Sequence, residues 1–460
     1  MDTNRFFQNA TTVTLDEMLE AREQRAHKQK KLLGRFPAPL ISFTLNIPGA
    51  YKTYPLAERA FNEGCQAVIR QLERNSITIF HREEQRNITG HELFVSVEGD
   101  AEHIKMLMVA IEEGHPLGRL FDIDVLSTDG AVLHGECYGR KQRGCLICGK
   151  PVWACARSRS HSAEELALKT AQCMEEYFHG QYADKISEYA LKSLLYEVAV
   201  TPKPGLVDRL NNGAHNDMDF FLFINSACSL APYFRDCALK GLGFGGEPQA
   251  LFKALRYPGM CAEDTMLAAT NGVNTHKGLI FSLGIICAAM GYLAKEKPCD
   301  DITMLTLLCE QMAGSTLGEL EDSKANTHGT EIFRKYGFTG ARGEAAQGFP
   351  NAREHGLTAL SKMMHGGYSA NEAGVTALLH LIAHVRDTNI IHRSDEHTQS
   401  EISHSLKQFL AGSVTPQQLF AEAQSLDTSF IQRNITPGGC ADLLAVSFML
   451  FFCFPDSCNL

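Results

Sequence analysis

The stretch Thr201-Pro-Lys-Pro-Gly-Leu-Val-Asp-Arg-Leu-Asn-Asn-Gly-Ala-His215, continued by Asn216-Asp-Met-Asp219, packs acids, bases, an amide and cations into one turn rich in proline and glycine. A helical pattern follows at once, and a helix N-terminus favours anions. Lys203, Asp208, Arg209 and Asn211 supply charge and hydrogen bonds suited to a phosphate. Asp217 and Asp219 offer the hard oxygen ligands that Mg²⁺ prefers. Two related clusters, Asn274-Thr-His-Lys277 and Asn326-Thr-His-Gly329, also precede helical patterns. They add Asn274, His276, Lys277, Asn326 and His328 to the same chemistry. His215, His276 and His328 are candidate proton carriers. Each of them taken singly is more often structural. Arg342 and Glu344, in Gly340-Ala-Arg-Gly-Glu-Ala345, add a cation and a carboxylate fit to be acid, base or metal ligand.

The first third carries a second constellation. In Phe121-Asp122-Ile123-Asp124-Val125 two aspartates stand two residues apart on a strand pattern. Residues i and i+2 share a face, so both carboxylates can hold one Mg²⁺ against nucleotide phosphates. A bare Asp-x-Asp is common, but Arg119, Arg140, Lys141 and Arg143 flank this one. Cys145-Leu-Ile-Cys148, with Cys155 and His161, has the spacing of a small zinc knuckle. Its bland alternative is a set of reduced structural thiols. The basic run Arg22, Arg25, Lys28, Lys30, Lys31 and Arg35 reads first as a solvated helix face, and otherwise as a docking surface for acidic groups. Two further patterns are set aside. Gly241-Leu-Gly-Phe-Gly-Gly246 follows a helical pattern where a dinucleotide loop needs a strand. His380 and His384 lack the acidic neighbour of a zinc protease and read as a core pair.

These residues need elements to hold them. Leu40–Ile47, Ser76–His81 and Glu92–Val97 have strand character, and 57–74 and 102–111 have helical spacing. Arg119–Ser127 and Ala131–Cys137 read as a hairpin around Asp129-Gly130. The order β-α-β-β-α-β, with one extra strand, predicts a split βαβ arrangement. From residue 162 helical periodicity prevails. A polar stretch, His179–Asp184, places a boundary near Tyr182. The expectation is an α+β domain followed by an all-α one.

A chain of 460 residues is too long for one ordinary core. A net charge of −10 disfavours non-specific nucleic-acid binding. Fifteen scattered cysteines and a start without signal-peptide design fit a reduced, cytoplasmic protein. The apolar runs Leu279–Ala294 and Leu443–Phe454 fall short of the roughly 20 residues that span a bilayer.

Leu40–Lys52, Ala21–Arg25, Gly118–Asp124 and Arg143–Cys148 with Cys155–His161 resemble the apo-citrate lyase phosphoribosyl-dephospho-CoA transferase family. Thr201–Arg209, Gly213–Asp219, Asn274–Gly278, Asn326–Gly329 and Gly340–Glu344 resemble the triphosphoribosyl-dephospho-CoA synthase family. Asn216 departs from the basic residue of many relatives. The resemblance implies a bifunctional transferase: residues 1–182 a nucleotidyltransferase-type, palm-like domain, and residues 183–460 the synthase. The synthase would join ATP to 3′-dephospho-CoA, the ribose 2′-hydroxyl displacing adenine from the ribose C1 of ATP. The transferase would pass the phosphoribosyl-dephospho-CoA unit to a serine of the citrate lyase acyl-carrier (gamma) subunit, releasing pyrophosphate. Asp122 and Asp124 would hold Mg²⁺ in one site, with Arg119 and Arg140 on the phosphates. Asp217 and Asp219 would hold it in the other, with Lys203 on the triphosphate and Glu344 or His215 moving the proton. Three rivals stand beside this: the equivalent pair serving malonate decarboxylase, a non-catalytic assembly factor that binds the carrier or CoA, and an unrelated Mg²⁺-dependent nucleotide hydrolase.

Overall fold

The computed structural model describes residues 5–295, 298–316, 318, 333–335 and 337–455. The chain divides into two compact units, Met1–His179 and Gly180–Leu460. Asn326 and His328 lie outside the described residues.

The first unit is built on β1 (Leu40–Leu45), β2 (Ile79–Asn87), β3 (Gly90–Val97) and β4 (Phe121–Leu126), with helices α1 (Leu15–Arg35), α2 (Pro55–Arg74) and α3 (Ala101–Gly114). The strand order is β2-β3-β1-β4 and every pair is antiparallel. With α2 between β1 and β2, and α3 between β3 and β4, this is the split βαβ topology. Alternation on the strands explains the layering. Ile41, Phe43, Leu93, Val95, Phe121 and Ile123 share a core with Phe61 and Val68 of α2 and with Ile104 and Met108 of α3. Gly64 sits inside α2 because a Cβ there would overlap the Phe43 ring.

The opposite face is more polar and lies under α1, which a Thr14–Glu17 capping box starts. There Ser42 stands opposite Asp124, and Thr44 opposite Asp122. Gln29 Nε2 donates to Ser42 Oγ at 2.9 Å, and Arg25 Nε pairs with Glu92 at 2.5 Å. Leu32, Leu40, Phe94 and Leu126 form a small apolar cluster at one end.

The expected hairpin from β4 forms its turn and first pairs, but among the described residues no second strand continues from it. Val132 makes an isolated bridge to Leu126, Leu133 N–H donates to Val125 O at 2.9 Å, and Gly135–Tyr138 is a 3₁₀ turn. The reason lies at the outer edge of β4. Lys105 Nζ donates to Ile123 O at 2.7 Å, and Ile123 N–H donates to Glu112 Oε1 at 3.3 Å. Side chains of α3 thus satisfy the edge peptide that another strand would have paired.

After a short α4 (Val152–Ser158), α5 (Ala163–Ala199) is continuous through the stretch expected to be a polar linker. Ala183 and Ile186 are buried there, so packing holds what charge periodicity did not announce. The second unit adds α6 (Phe220–Gly243), α7 (Pro248–Ala269), α8 (Lys277–Leu293) and α9 (Ile302–Ala313), then helices including Gly340–Ala346, Ala370–His384 and Gly438–Cys453. Its described residues contain no strand. α6 and α8 cross at near-backbone distance: a Cβ on Gly241 would overlap Ala288 O, and one on Gly291 would overlap Ala238 O. Gly241 therefore serves helix packing. The His384 ring stacks on His355 at 4.1 Å between centroids, beside a half-buried His380. Among the described residues, no helix is long and apolar enough to cross a membrane.

Candidate active sites

Asp122 lies where two clefts meet in the first unit. One, of about 140 Å³, is bordered by Arg22, Arg25, Lys52 and His91. The other, of about 660 Å³, is bordered by Arg119, Arg140, Lys141, Arg143 and Arg159. Asp124 lies on the same strand face; burial and then the nearby Asp122 push its carboxyl above the usual range. Two carboxylates on one strand face are a donor set suited to a hard divalent cation.

The basic wall is anchored on Glu112. Arg143 Nη2 lies 3.0 Å from Glu112 Oε1 and 3.0 Å from Phe121 O, and Arg140 Nη1 lies 3.7 Å from Glu112 Oε2. Burial raises the Glu112 carboxyl and lowers the Lys105 ammonium. Arg119 donates to Gly144 O. A guanidinium has five N–H groups, so these anchors leave donors for a phosphate. Of the basic α1 stretch, Arg25 and Lys28 are paired, with Glu92 and Glu83.

The loop pinned by Arg119 carries the cysteine cluster. Single ligand atoms of Cys145, Cys148, Cys155 and His161 all lie within 4.8 Å of one another. The knuckle geometry is complete: Ile147 N–H points to Cys145 Sγ at 3.4 Å, and Gly149 N–H donates to Cys145 O at 3.0 Å. Gly149 takes a left-handed φ of 72°, and a Cβ on Gly144 would meet Gly149 O. Backbone N–H groups of Cys148 and Ile147 draw the Cys145 thiol down to about 7, while hydrogen bonding to Cys148 pushes Cys155 up to about 11. His161 Nε2 is buried without a partner among the described residues. Tetrahedral zinc fits this donor set.

In the second unit a cleft of about 900 Å³ collects Lys203, His215, Asp217, Asn274, His276, Lys277 and Arg342 from the sequence-derived set. It also takes in Glu197, Glu263, Arg393 and Asp442. Lys203 and Glu197 form a buried ion pair, and burial pushes the Glu197 carboxyl up. Lys277 pairs with Glu263 at 2.7 Å, and Asn274 Oδ1 accepts from Lys277 N–H at 3.3 Å at the start of α8. His215 Nε2 lies 3.0 Å from Thr436 Oγ1, and its Nδ1 lies 4.0 Å from Asp217. Burial, then Arg393, lowers the His215 imidazole; Lys203 lowers it further and Asp217 opposes.

Other expected site residues build the scaffold. Asp208 accepts from the N–H groups of Lys203, Leu210 and Asn211 at 3.0, 2.7 and 3.1 Å, clasping the turn. Asn211 binds Asp427 and Gly213. Arg209 binds Thr201 and Asn371. Asp219 is the N-cap of α6, accepting from Leu222 N–H at 2.8 Å. One carboxylate oxygen of Asp219 thus caps the helix, and Asp219 does not border the cleft that Asp217 borders. The carboxylate of Glu344 is taken by Asn351, and Glu344 does not border the cleft.

Residues 183–456 match the family described as ATP:dephospho-CoA triphosphoribosyl transferase (CitG). Residues 13–177 match the apo-citrate lyase phosphoribosyl-dephospho-CoA transferase family (CitX). Protein CitXG of Haemophilus influenzae is 33% identical over 97% of this chain and 98% of its own length. Protein CitXG of Leuconostoc mesenteroides subsp. cremoris is also 33% identical, over the same shares. The 2-(5''-triphosphoribosyl)-3'-dephosphocoenzyme-A synthase of Haemophilus ducreyi is 35% identical over 66% of this chain and 98% of its own length. With both clefts falling inside matched segments and relatives aligned from end to end, this chain belongs to the CitXG family, a fusion of a CitX and a CitG domain.

Proposed function

We propose that residues 183–460 make 2′-(5″-triphosphoribosyl)-3′-dephospho-CoA from ATP and 3′-dephospho-CoA with release of adenine. Residues 1–182, a palm-like nucleotidyltransferase domain in this reading, then pass the phosphoribosyl-dephospho-CoA unit to a serine of the citrate lyase acyl-carrier subunit and release pyrophosphate. The match of residues 13–177 favours the citrate lyase carrier over that of malonate decarboxylase. The protein works in the cytoplasm, where both nucleotides are made. The observation that carries the proposal is the pair of polar clefts, one within each matched segment, each joining carboxylates to several cationic side chains.

In the synthase cleft Lys203, Lys277, Arg342 and Arg393 hold the triphosphate. The displacement passes through a cationic sugar, and Asp217 is the exposed carboxylate placed to stabilise it. His215 Nδ1, with Nε2 fixed by Thr436, accepts the proton of the attacking hydroxyl; Glu344, bound to Asn351, does not. A metal here would rest on Asp217 and the substrate phosphates. In the transferase cleft Arg119, Arg140 and Arg143 orient the phosphates, and Asp122 with Asp124 would hold Mg²⁺. When bound, that ion neutralises charge growing on the departing pyrophosphate. Zinc at Cys145, Cys148, Cys155 and His161 is structural, since all four ligands come from the protein.

The test is to incubate the purified protein with ATP and 3′-dephospho-CoA, with and without apo-carrier. Free adenine and a new dephospho-CoA adduct are expected by mass spectrometry, followed by a mass gain on the carrier serine. ADP or AMP without an adduct contradicts the proposal, as does ligand binding without turnover.

A further inference from the structure

His276 is 1% exposed, and among the described residues its Nε2 has no hydrogen-bond partner. Buried polar nitrogens are nearly always paired, so an orphan in the wall of a cleft points to a ligand. The other ring nitrogen is fixed. Nδ1 lies 2.7 Å from Ser226 Oγ, and Thr275 Oγ1 donates to that same oxygen at 2.7 Å. A serine hydroxyl has one proton. With Thr275 directed at its oxygen, Ser226 gives that proton to Nδ1, and the ring carries its own on Nε2. Burial, then the Lys203 charge, holds His276 down to about 3, so the imidazole is neutral near pH 7.

A neutral N–H in such surroundings is poorly matched to a triphosphate, which draws full cations. The Phe223 ring meets His276 edge-on, at 5.1 Å and 88°. Met266 sulfur takes the His276 backbone N–H at 3.2 Å. Phe223, Thr275, His276 and Leu279 all border the cleft. An aromatic ring and a neutral donor suit a heterocycle with acceptor nitrogens.

We infer that Phe223 and His276 form the subsite for the purine that departs, with His276 Nε2–H donating to one of its ring nitrogens. The inference rests on the synthase reading of this cleft. As the C1–N9 bond breaks and the C1–O2′ bond forms, the bonding pair moves into the purine and its nitrogens become more basic. A hydrogen bond to them strengthens in the transition state and accelerates the step. His276 keeps its proton; the one lost by the attacking hydroxyl is the one the free base finally gains.

The test compares ATP, 3-deaza-ATP and 7-deaza-ATP as substrates of wild type, His276→Leu and His276→Gln. Wild type should lose ~10²-fold in adenine-analogue release with one deaza substrate. His276→Leu should lose a similar factor with ATP and nothing further with that analogue. His276→Gln, whose amide N–H reaches the Nε2 position, should keep the preference for the same ring nitrogen, and it carries the comparison if His276→Leu fails to fold. Equal rates with all three substrates in wild type, or variant and analogue losses that multiply, overturn the inference alone. No base release from ATP by wild type overturns the synthase reading and the inference with it.

Discussion

In the unfolded chain His276 and His380 titrate near the ordinary imidazole value of 6.5; in the folded protein burial holds them down, to about 3 and about 4. As pH falls below 6.5 the unfolded chain binds protons that the folded one refuses, so stability is lost until pH passes the folded values. Each histidine contributes a slope of about 1.4 kcal/mol per pH unit. Buried Asp387 and half-buried Asp442, whose carboxyls are raised by desolvation, act in the opposite sense. The contribution of one histidine therefore shows only by difference. Urea unfolding of wild type and His276→Gln at pH 7.5, 6 and 5 should show the stability gap changing in favour of the variant as pH falls, by about that slope. A gap that stays constant would contradict a neutral buried ring. Much of the synthase cleft was legible at this scale, because Pro, Gly, Lys and His cannot crowd one turn without polar partners. Sequence does not say which partner each finds. Asp208, Asn211 and Arg209 have the chemistry of phosphate ligands but satisfy the turn's own backbone and neighbours. Glu197 was missed. Its signal, a lone acid at the end of an apolar helical run just before Thr201, is visible only once its partner Lys203 is known.

At the scale of elements, the strand–helix order of the first unit was legible from periodicity and turn residues. The lack of a further strand beside β4 was not, because Lys105 and Glu112 occupy the free edge of β4 from a helix, a tertiary effect with no local signature. In α5 only the continuity through His179–Asp184 hid, for a related reason, since that polar stretch is held by packing. The cysteine loop makes its own prediction. It carries Arg140, Arg143 and Arg159 to the transferase cleft, and Trp153, the sole tryptophan, stands exposed in sequence between Cys148 and Cys155 of the cluster. Removing the metal with a strong chelator should release about one zinc per chain, shift Trp153 emission and abolish carrier labelling, while adenine release persists. Full labelling by a zinc-free protein would show that the knuckle does not shape the cleft.

For the whole molecule, fusion places two successive catalysts on one chain, so the second meets the product of the first at raised effective concentration. This account stands on there being two separate sites rather than one shared one. Asp122→Ala separates them most directly, measured in a single preparation for adenine release and for carrier mass. Labelling should fall at least ~10²-fold even when preformed intermediate is supplied, with adenine release at the wild-type rate. Loss of both activities together, or labelling that survives the substitution, would contradict it.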